Sequence, residues 1–307
     1  MNNTVYDLII VGAGPAGLSA SIYASRYKLN HLIFGMNPGG QITEIRTLEN
    51  YPGFTSISGR DFISRVLEQM ENLGMRINKE SVSAIKKEED VFVVEASGHK
   101  YQAHSLILAL GTEYKKINIP GEKEFTGRGV SYCATCDAMF FKEKVVSVIG
   151  GANSAAVTAM ELADHAHKVY VIFRRDKMTA DPIWVEKLNN NPKIELIYGT
   201  NILEIKGENK VEKIILDKPY DDKTFLKTDG VFVEVGSEPG VSLATNLGVA
   251  VDEQKYIIVS PDMGTNISGV FAAGDATTGS NKFRQVITAS AEGAIAAASV
   301  YKLLKLK

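Results

Sequence analysis

Residues 6–17 read Tyr6-Asp7-Leu8-Ile9-Ile10-Val11-Gly12-Ala13-Gly14-Pro15-Ala16-Gly17, and this stretch decides the fold. The first half is an apolar run with the length of a buried β-strand. The second half is a G-x-G-x-x-G turn. A helical pattern follows over residues 18–27, then a second apolar strand, Asn30-His31-Leu32-Ile33-Phe34-Gly35. Strand, glycine turn, helix and strand make the opening βαβ of a dinucleotide-binding fold. Gly12 permits the tight turn, Gly14 lets backbone N–H groups approach a pyrophosphate, and Gly17 lets helix pack on strand. Pro15 suits the first helical turn, where a missing N–H costs nothing. A purely structural glycine turn is the competing reading.

Further along, residues 83–110 alternate with short polar turns, including Ser97-Gly98, and read as an antiparallel meander. Ile119-Pro120-Gly121 reads as a crossover. A strand over residues 145–149 then leads into Gly150-Gly151-Ala152-Asn153-Ser154-Ala155, a helix and a strand ending at Arg174-Arg175. This is a second βαβ. A second crossover is expected near residues 236–240, and residues 265–305 hold a strand and a closing helix that return to the first domain. The expected fold is α/β: two Rossmann-like dinucleotide-binding domains, the first interrupted by the second, with an antiparallel β-meander. The expected boundaries are 1–117 with 241–307 for the first domain and 118–240 for the second.

The 307 residues carry a net charge of −2 and are 45% hydrophobic, as a globular chain with one large or two medium cores would be. No basic block argues for nucleic acid, and no apolar run approaches the roughly 18 residues of a membrane span. The N-terminus lacks a basic segment and runs straight into a strand, so no signal peptide is read and the expected compartment is the cytoplasm. The two cysteines, Cys133 and Cys136, form a C-x-x-C. In a reducing cytosol a structural disulfide is disfavoured. Zinc needs about four ligands, and the five histidines offer no matching spacing. Redox chemistry is therefore expected at the pair, and no metal.

The acid that normally ends the second strand of an NAD-type site is absent; the chain reads Phe34-Gly35-Met36 there. From this point the sequence resembles the low-molecular-weight thioredoxin reductases. It carries Gly39-Gly40-Gln41, Glu49-Asn50-Tyr51-Pro52-Gly53-Phe54, Ala109-Leu110-Gly111 in place of A-T-G, Ser131-Tyr132-Cys133-Ala134-Thr135-Cys136-Asp137, Gly274-Asp275, and Arg284-Gln285-Val286-Ile287-Thr288-Ala289. The resemblance covers essentially the whole chain. It implies an FAD enzyme and a homodimer, with Gly12, Gly14, Gly17, Gly39, Gly40, Gln41, Asn50, Gly111, Gly274, Asp275, Arg284 and Gln285 at the cofactor. Asp275 can accept hydrogen bonds from ribityl hydroxyls, or serve only as a turn residue. Arg284 and Gln285 can donate to flavin polar atoms. The resemblance further implies that Cys136 faces the flavin, that Cys133 attacks the disulfide of thioredoxin, and that Asp137 is the general acid. A helix-start carboxylate is the plainer reading of Asp137.

The second glycine motif departs from the family. Ala152 replaces the glycine of G-G-G-D-S-A, which crowds a pyrophosphate, or strains the turn if its φ is positive. The NADPH-selecting H-R-R-x-x-x-R becomes Phe173-Arg174-Arg175-Asp176-Lys177-Met178-Thr179. Arg174 and Arg175 remain as possible partners of a 2′-phosphate. Glu234 adds a negative charge where the family is usually apolar. These departures favour ferredoxin or another non-pyridine electron donor. An ordinary NADPH-dependent thioredoxin reductase and a flavin-dependent dithiol oxidase are the alternatives.

Overall fold

The computed structural model describes residues 4–305. The chain divides into two compact units, at 113/114 and at 237/238; the outer segments form one unit and the middle segment the other.

The first unit opens with β1 (Val5–Val11), α1 (Pro15–Arg26) and β2 (His31–Phe34), followed by α2 (Gly59–Asn72), β3 (Val82–Glu88), β4 (Val91–Ala96) and β5 (His99–Leu108). Leu8, Ile9 and Ile10 have no exposed surface. The run is uninterrupted because a parallel strand with layers on both sides has no face to give to water. β1 pairs in parallel with β2 and with β5.

The last part of the segment expected to be an antiparallel meander is one long strand, β5. The first half of β5 pairs antiparallel with β4, and from Gln102 onward the strand pairs in parallel with β1. Its sequence changes character midway because its neighbours change. The polar half lies toward solvent, and the Leu-Ile-Leu half is buried.

The chain leaves this unit at β6 (Thr112–Tyr114). The second unit contains α3 (Glu122–Phe125), β7 (Val130–Ser131), α4 (Ala134–Asp137), β8 (Val145–Ile149), α5 (Asn153–Ala163), β9 (Lys168–Phe173), α6 (Pro182–Asn189) and β10 (Ile194–Tyr198). Next come β11 (Ile202–Lys206), β12 (Lys213–Tyr220), β13 (Lys223–Lys227) and β14 (Gly230–Val233). Strands β10, β9, β8, β14 and β7 lie side by side in a parallel sheet, and β11–β13 form an antiparallel one. After β15 (Ser237–Pro239) the chain returns through α7 (Ser242–Asn246), β16 (Val270–Ala272) and α8 (Val286–Lys305). β16 pairs with the far end of β5, in parallel.

Helices α1 and α8 meet where both carry small residues: Ala16, Ala20 and Ala24 on one, Ala289, Gly293, Ala296 and Ala297 on the other, all buried. A Cβ on Gly293 would collide with the Ala16 carbonyl. The close crossing sets the start of α1, where the first glycine turn lies. Gly293→Val should overpack this contact by about 2–3 kcal/mol and lower the melting temperature by roughly 5–10 °C. Calorimetry checks this; an unchanged melting point would mean the helices do not depend on that approach.

Candidate functional site

The first glycine turn is built by backbone collisions that only glycine avoids. Gly12 has φ +112° and its missing Cβ would strike the Ala109 carbonyl; that of Gly17 would strike the Gly12 carbonyl. Above Gly14, by contrast, a Cβ would meet nothing within 4 Å. Gly14 is the N-cap of α1, and no side chain caps the helix. The first N–H groups of α1 thus lack a side-chain partner, and the turn above them is open, as a seat for a phosphate requires. Gly39 is tied to the same turn, its N–H donating to Ala13 O at 2.7 Å, and Gly40 lies beside Gly14.

Other expected cofactor residues gather in this unit. Gln41 Nε2 donates to Thr112 O at 2.6 Å, next to Gly111. Asn50 Nδ2 donates to Gln285 Oε1 at 2.9 Å, which joins the early and late motifs. Gly274 adopts φ +87°, and a Cβ there would come 2.9 Å from the Ala16 Cβ, so its turn sits against the first turn of α1. Asp275 is half-buried and lines a cleft with Lys282, Arg284, Thr288 and Glu292. Among the described residues its carboxylate has no hydrogen-bond partner. Burial pushes its pKa up to about 6, Arg284 opposes the rise and Glu292 adds to it. Arg284 Nη1 donates to Tyr256 OH at 3.1 Å.

In the second unit, Cys133 and Cys136 form a disulfide across the start of α4. Cys133 is the N-cap, and the Cys136 N–H donates to its Sγ at 3.2 Å. Once the bond is opened, that N–H favours the thiolate on Cys133. The pair is held from behind. Cys133 N donates to Ser131 Oγ at 3.1 Å, and Ser131 Oγ donates to Cys133 O at 3.2 Å. Tyr132 OH donates to Glu122 Oε1 at 2.8 Å. Glu122 is buried and also accepts from Ile117 N at 3.0 Å and Asn118 N at 2.6 Å. Burial, then the Glu122 carboxylate, push the Tyr132 phenol up to about 12, which keeps it a neutral donor. Thr135 Oγ1 donates to Glu161 Oε2 at 3.0 Å. Asp137 ends α4 with no hydrogen bond to its side chain among the described residues. Directly after it, Met139 and Phe140 are 66% and 72% exposed. Sequence reasoning passed over these two, because Met139-Phe140-Phe141 does not reveal that only Phe141 turns into the core.

The second glycine turn differs from the first. Gly150 has φ +153° and packs on the Glu234 backbone. Ala152 has φ −100° and ψ −176°, an extended conformation open to any residue, so the strain considered above does not arise. The space is altered in other ways. The Phe173 ring lies directly on Gly151, where a Cβ would overlap it. Gly151 O accepts from Thr179 N at 2.8 Å and Ala180 N at 3.1 Å. Asn153, the first residue of α5, exchanges hydrogen bonds with Asp181 at 2.9 and 2.7 Å, the first to the carboxylate and the second from its backbone N–H. Residues 179–181 therefore fold against the turn, and the Asp181 carboxylate, itself at the start of α6, holds the Asn153 side chain; as at α1, no side chain caps α5. Glu234 is buried, and its Oε1 accepts from Thr158 Oγ1 at 2.8 Å. Arg174 and Arg175 are exposed.

These arrangements match known proteins over nearly the whole chain. Residues 6–293 fit the family described as pyridine nucleotide-disulphide oxidoreductase. The thioredoxin reductase of Bacillus subtilis (strain 168) is 40% identical over 299 residues, covering 96% of this chain and 94% of that protein. The crystal structure of Lactococcus lactis thioredoxin reductase, in its FR conformation, superposes with a TM-score of 0.94 at 35% identity, over 98% of this chain and 100% of that one. A ferredoxin-flavin thioredoxin reductase from Clostridium acetobutylicum is also 35% identical, with a TM-score of 0.54 over 98% of this chain and 99% of that one. The chain belongs to the pyridine nucleotide-disulphide oxidoreductase family. Within it, sequence and fold group the chain with the low-molecular-weight thioredoxin reductases, which are FAD-dependent oxidoreductases. The open seat over α1 and the unpartnered Asp275 fit FAD: one suits its pyrophosphate, the other its ribityl hydroxyls.

Proposed function

We propose that this chain reduces thioredoxin through Cys133–Cys136 and receives its electrons from ferredoxin or another non-pyridine donor. The observation that carries the donor reading is the altered second glycine turn, with the Phe173 ring on Gly151 and the Asp181 carboxylate bonded to the Asn153 side chain. A carboxylate held beside the first residue of α5 repels an incoming pyrophosphate. NADPH is the second reading, favoured by the exposed Arg174 and Arg175. Anaerobic titration of the oxidised flavoprotein with NADPH, NADH and reduced ferredoxin tests the assignment. Bleaching by ferredoxin alone is expected; stoichiometric bleaching by NADPH overturns the donor reading.

In this reading Gly12, Gly14 and Gly17 seat the pyrophosphate of FAD. Gly39, Gly40, Gln41, Asn50 and Gly111 line the site, and Gly274-Asp275 with Arg284 and Gln285 address the ribityl and flavin ends. Once reduced by the electron donor, bound FAD would supply the electron pair that opens the Cys133–Cys136 bond. The Cys133 thiolate, favoured by the Cys136 N–H, attacks a sulfur of the thioredoxin disulfide. That S–S bond breaks, a mixed disulfide forms at Cys133, and Asp137 hands a proton to the departing sulfur. Cys136 then attacks the Cys133 sulfur, which releases the second thioredoxin thiol and restores the internal disulfide.

Met139 and Phe140 suit a docking contact for thioredoxin, since two large apolar side chains stand in solvent beside the reacting pair. Met139→Ser with Phe140→Ser should raise the KM for thioredoxin roughly 10-fold or more while leaving kcat within about 2-fold. An unchanged KM would remove these residues from the interface. The enzyme is further read as a homodimer of the cytoplasm. The two cysteines, both in the redox pair, suit a reducing compartment. Among the described residues, no helix is long and apolar enough to cross a membrane.

A further inference from the structure

Glu292 lies on α8 and is 4% exposed. Its Oε2 accepts from Gly274 N at 2.8 Å and from Thr277 Oγ1 at 3.0 Å. Thr277 Oγ1 in turn accepts from Gly279 N at 3.0 Å. Gly279 lies so close to the carboxyl group that a Cβ there would come 2.6 Å from Oε1. Among the described residues no lysine or arginine pairs with Glu292. A carboxylate buried without a cation costs several kcal/mol unless its hydrogen bonds offset the loss of water. Here those bonds all go to one loop, residues 274–279, and that loop carries Asp275.

We propose that Glu292 is a positioning residue of the cofactor site: its carboxylate clasps the Gly274–Gly279 loop and so aims Asp275 into the cleft. The inference rests on the FAD reading of that cleft. The Gly274 N–H is held by Glu292, which fixes the backbone one residue before Asp275. Next to Glu292 on α8, Gly293 packs on the Ala16 carbonyl of α1. One turn of helix thus registers the Asp275 loop against the phosphate turn.

The charge of Glu292 has a second consequence. The charged groups facing Asp275 are Lys282 and Arg284, on the segment that follows it, and Glu292 on α8; α1 contributes no acid in its first turn. Glu292 makes Asp275 harder to ionise, alongside burial, and its pKa stands at about 6. Ribityl hydroxyls donate best to the ionised carboxylate. FAD affinity should therefore rise as pH climbs through about 6 and level off above it. Without the Glu292 charge, Asp275 ionises more readily, and the same rise should occur at lower pH.

The test is FAD binding by the flavin-stripped full-length chain, followed by flavin fluorescence from pH 5 to 8. Wild type, Glu292→Gln, Thr277→Val and Asp275→Asn are compared. Glu292→Gln is expected to weaken FAD by about 10-fold, the scale of one charge-assisted hydrogen bond, and to move the midpoint to lower pH. Thr277→Val removes one clasp bond without touching the charge, so it should weaken FAD but keep the midpoint. Asp275→Asn should abolish the pH dependence. Wild-type affinity and midpoint in Glu292→Gln would overturn the proposal. If Glu292→Gln does not fold, Thr277→Val decides, and an unchanged FAD affinity there overturns it. Failure of the FAD reading looks different: the wild type would not bind FAD, or Asp275→Asn would bind it with an unaltered pH profile.

Discussion

Replacing either cysteine with serine should bring thioredoxin reduction down by roughly 10⁴-fold, to assay background, while FAD stays bound. The reason lies in the division of labour around α4. Both sulfurs are needed, one to attack and one to resolve, and neither hydroxyl can accept or release the electron pair. FAD retention follows because the pair lies in the middle segment, whereas Gly12, Gly14, Gly274 and Asp275 lie in the outer ones. The two variants should differ from each other. With Cys136→Ser, the Cys133 thiolate still attacks a single-cysteine thioredoxin activated as an aryl disulfide, expels the aryl thiol and stays linked to thioredoxin. With Cys133→Ser that adduct should be scarce, since the thiolate-favouring N–H now faces a hydroxyl. Intact-protein mass spectrometry reads the difference. Equal adduct yields would reverse or erase the assigned roles. Asp137→Asn in the same turnover assay should cost about 10- to 1000-fold, as loss of a general acid does.

The features legible in the sequence are local ones. The G-x-G-x-x-G turn between an apolar strand and a helix needs only neighbours in the chain, and the α/β architecture follows from it. The C-x-x-C announces a disulfide because two intervening residues bring the sulfurs within reach. Contacts between distant segments were not legible. Asn50 and Gln285 each resemble a family motif, but nothing in 235 residues of separation says that their amides meet. Glu292 reads as an ordinary helical glutamate until Gly274 and Thr277 are placed over it. At Ala152 the residue change was visible and its consequence was not, because the sign of φ decides whether a methyl group is strained. Glu234 was visible as a charge, while its hydrogen bond from Thr158 on α5 depends on β14 lying beneath that helix. In β5, the polar-to-apolar change suggests two strands, when it records a change of neighbours along one.

NADPH should bind this chain about 10–100 times more weakly than a micromolar site would. The pyrophosphate would have to approach the Asp181 carboxylate held on the Asn153 side chain and pass the methyl of Ala152. Thr179, where the family pattern has an arginine, donates to Gly151 O through its backbone N–H and offers a phosphate no charge. Each effect is worth about 1–2 kcal/mol, and two or three compound to roughly 10²–10⁴-fold. Arg174 and Arg175 oppose them by about 1–3 kcal/mol, which leaves a net loss of roughly 10- to 100-fold. Calorimetric titration gives the dissociation constant directly. Ala152→Gly combined with Thr179→Arg should recover about 10-fold or more. No recovery, with wild-type binding already micromolar, would show that the turn accepts the nucleotide as it is.

The most direct test is a steady-state thioredoxin-reduction assay run side by side with saturating NADPH and with photoreduced ferredoxin. Sustained turnover with ferredoxin and only a trace with NADPH is the expected result. A KM for NADPH in the low micromolar range, with turnover above about 10 s⁻¹ as in an ordinary working enzyme, would contradict the account and make the altered second turn a tolerated variation.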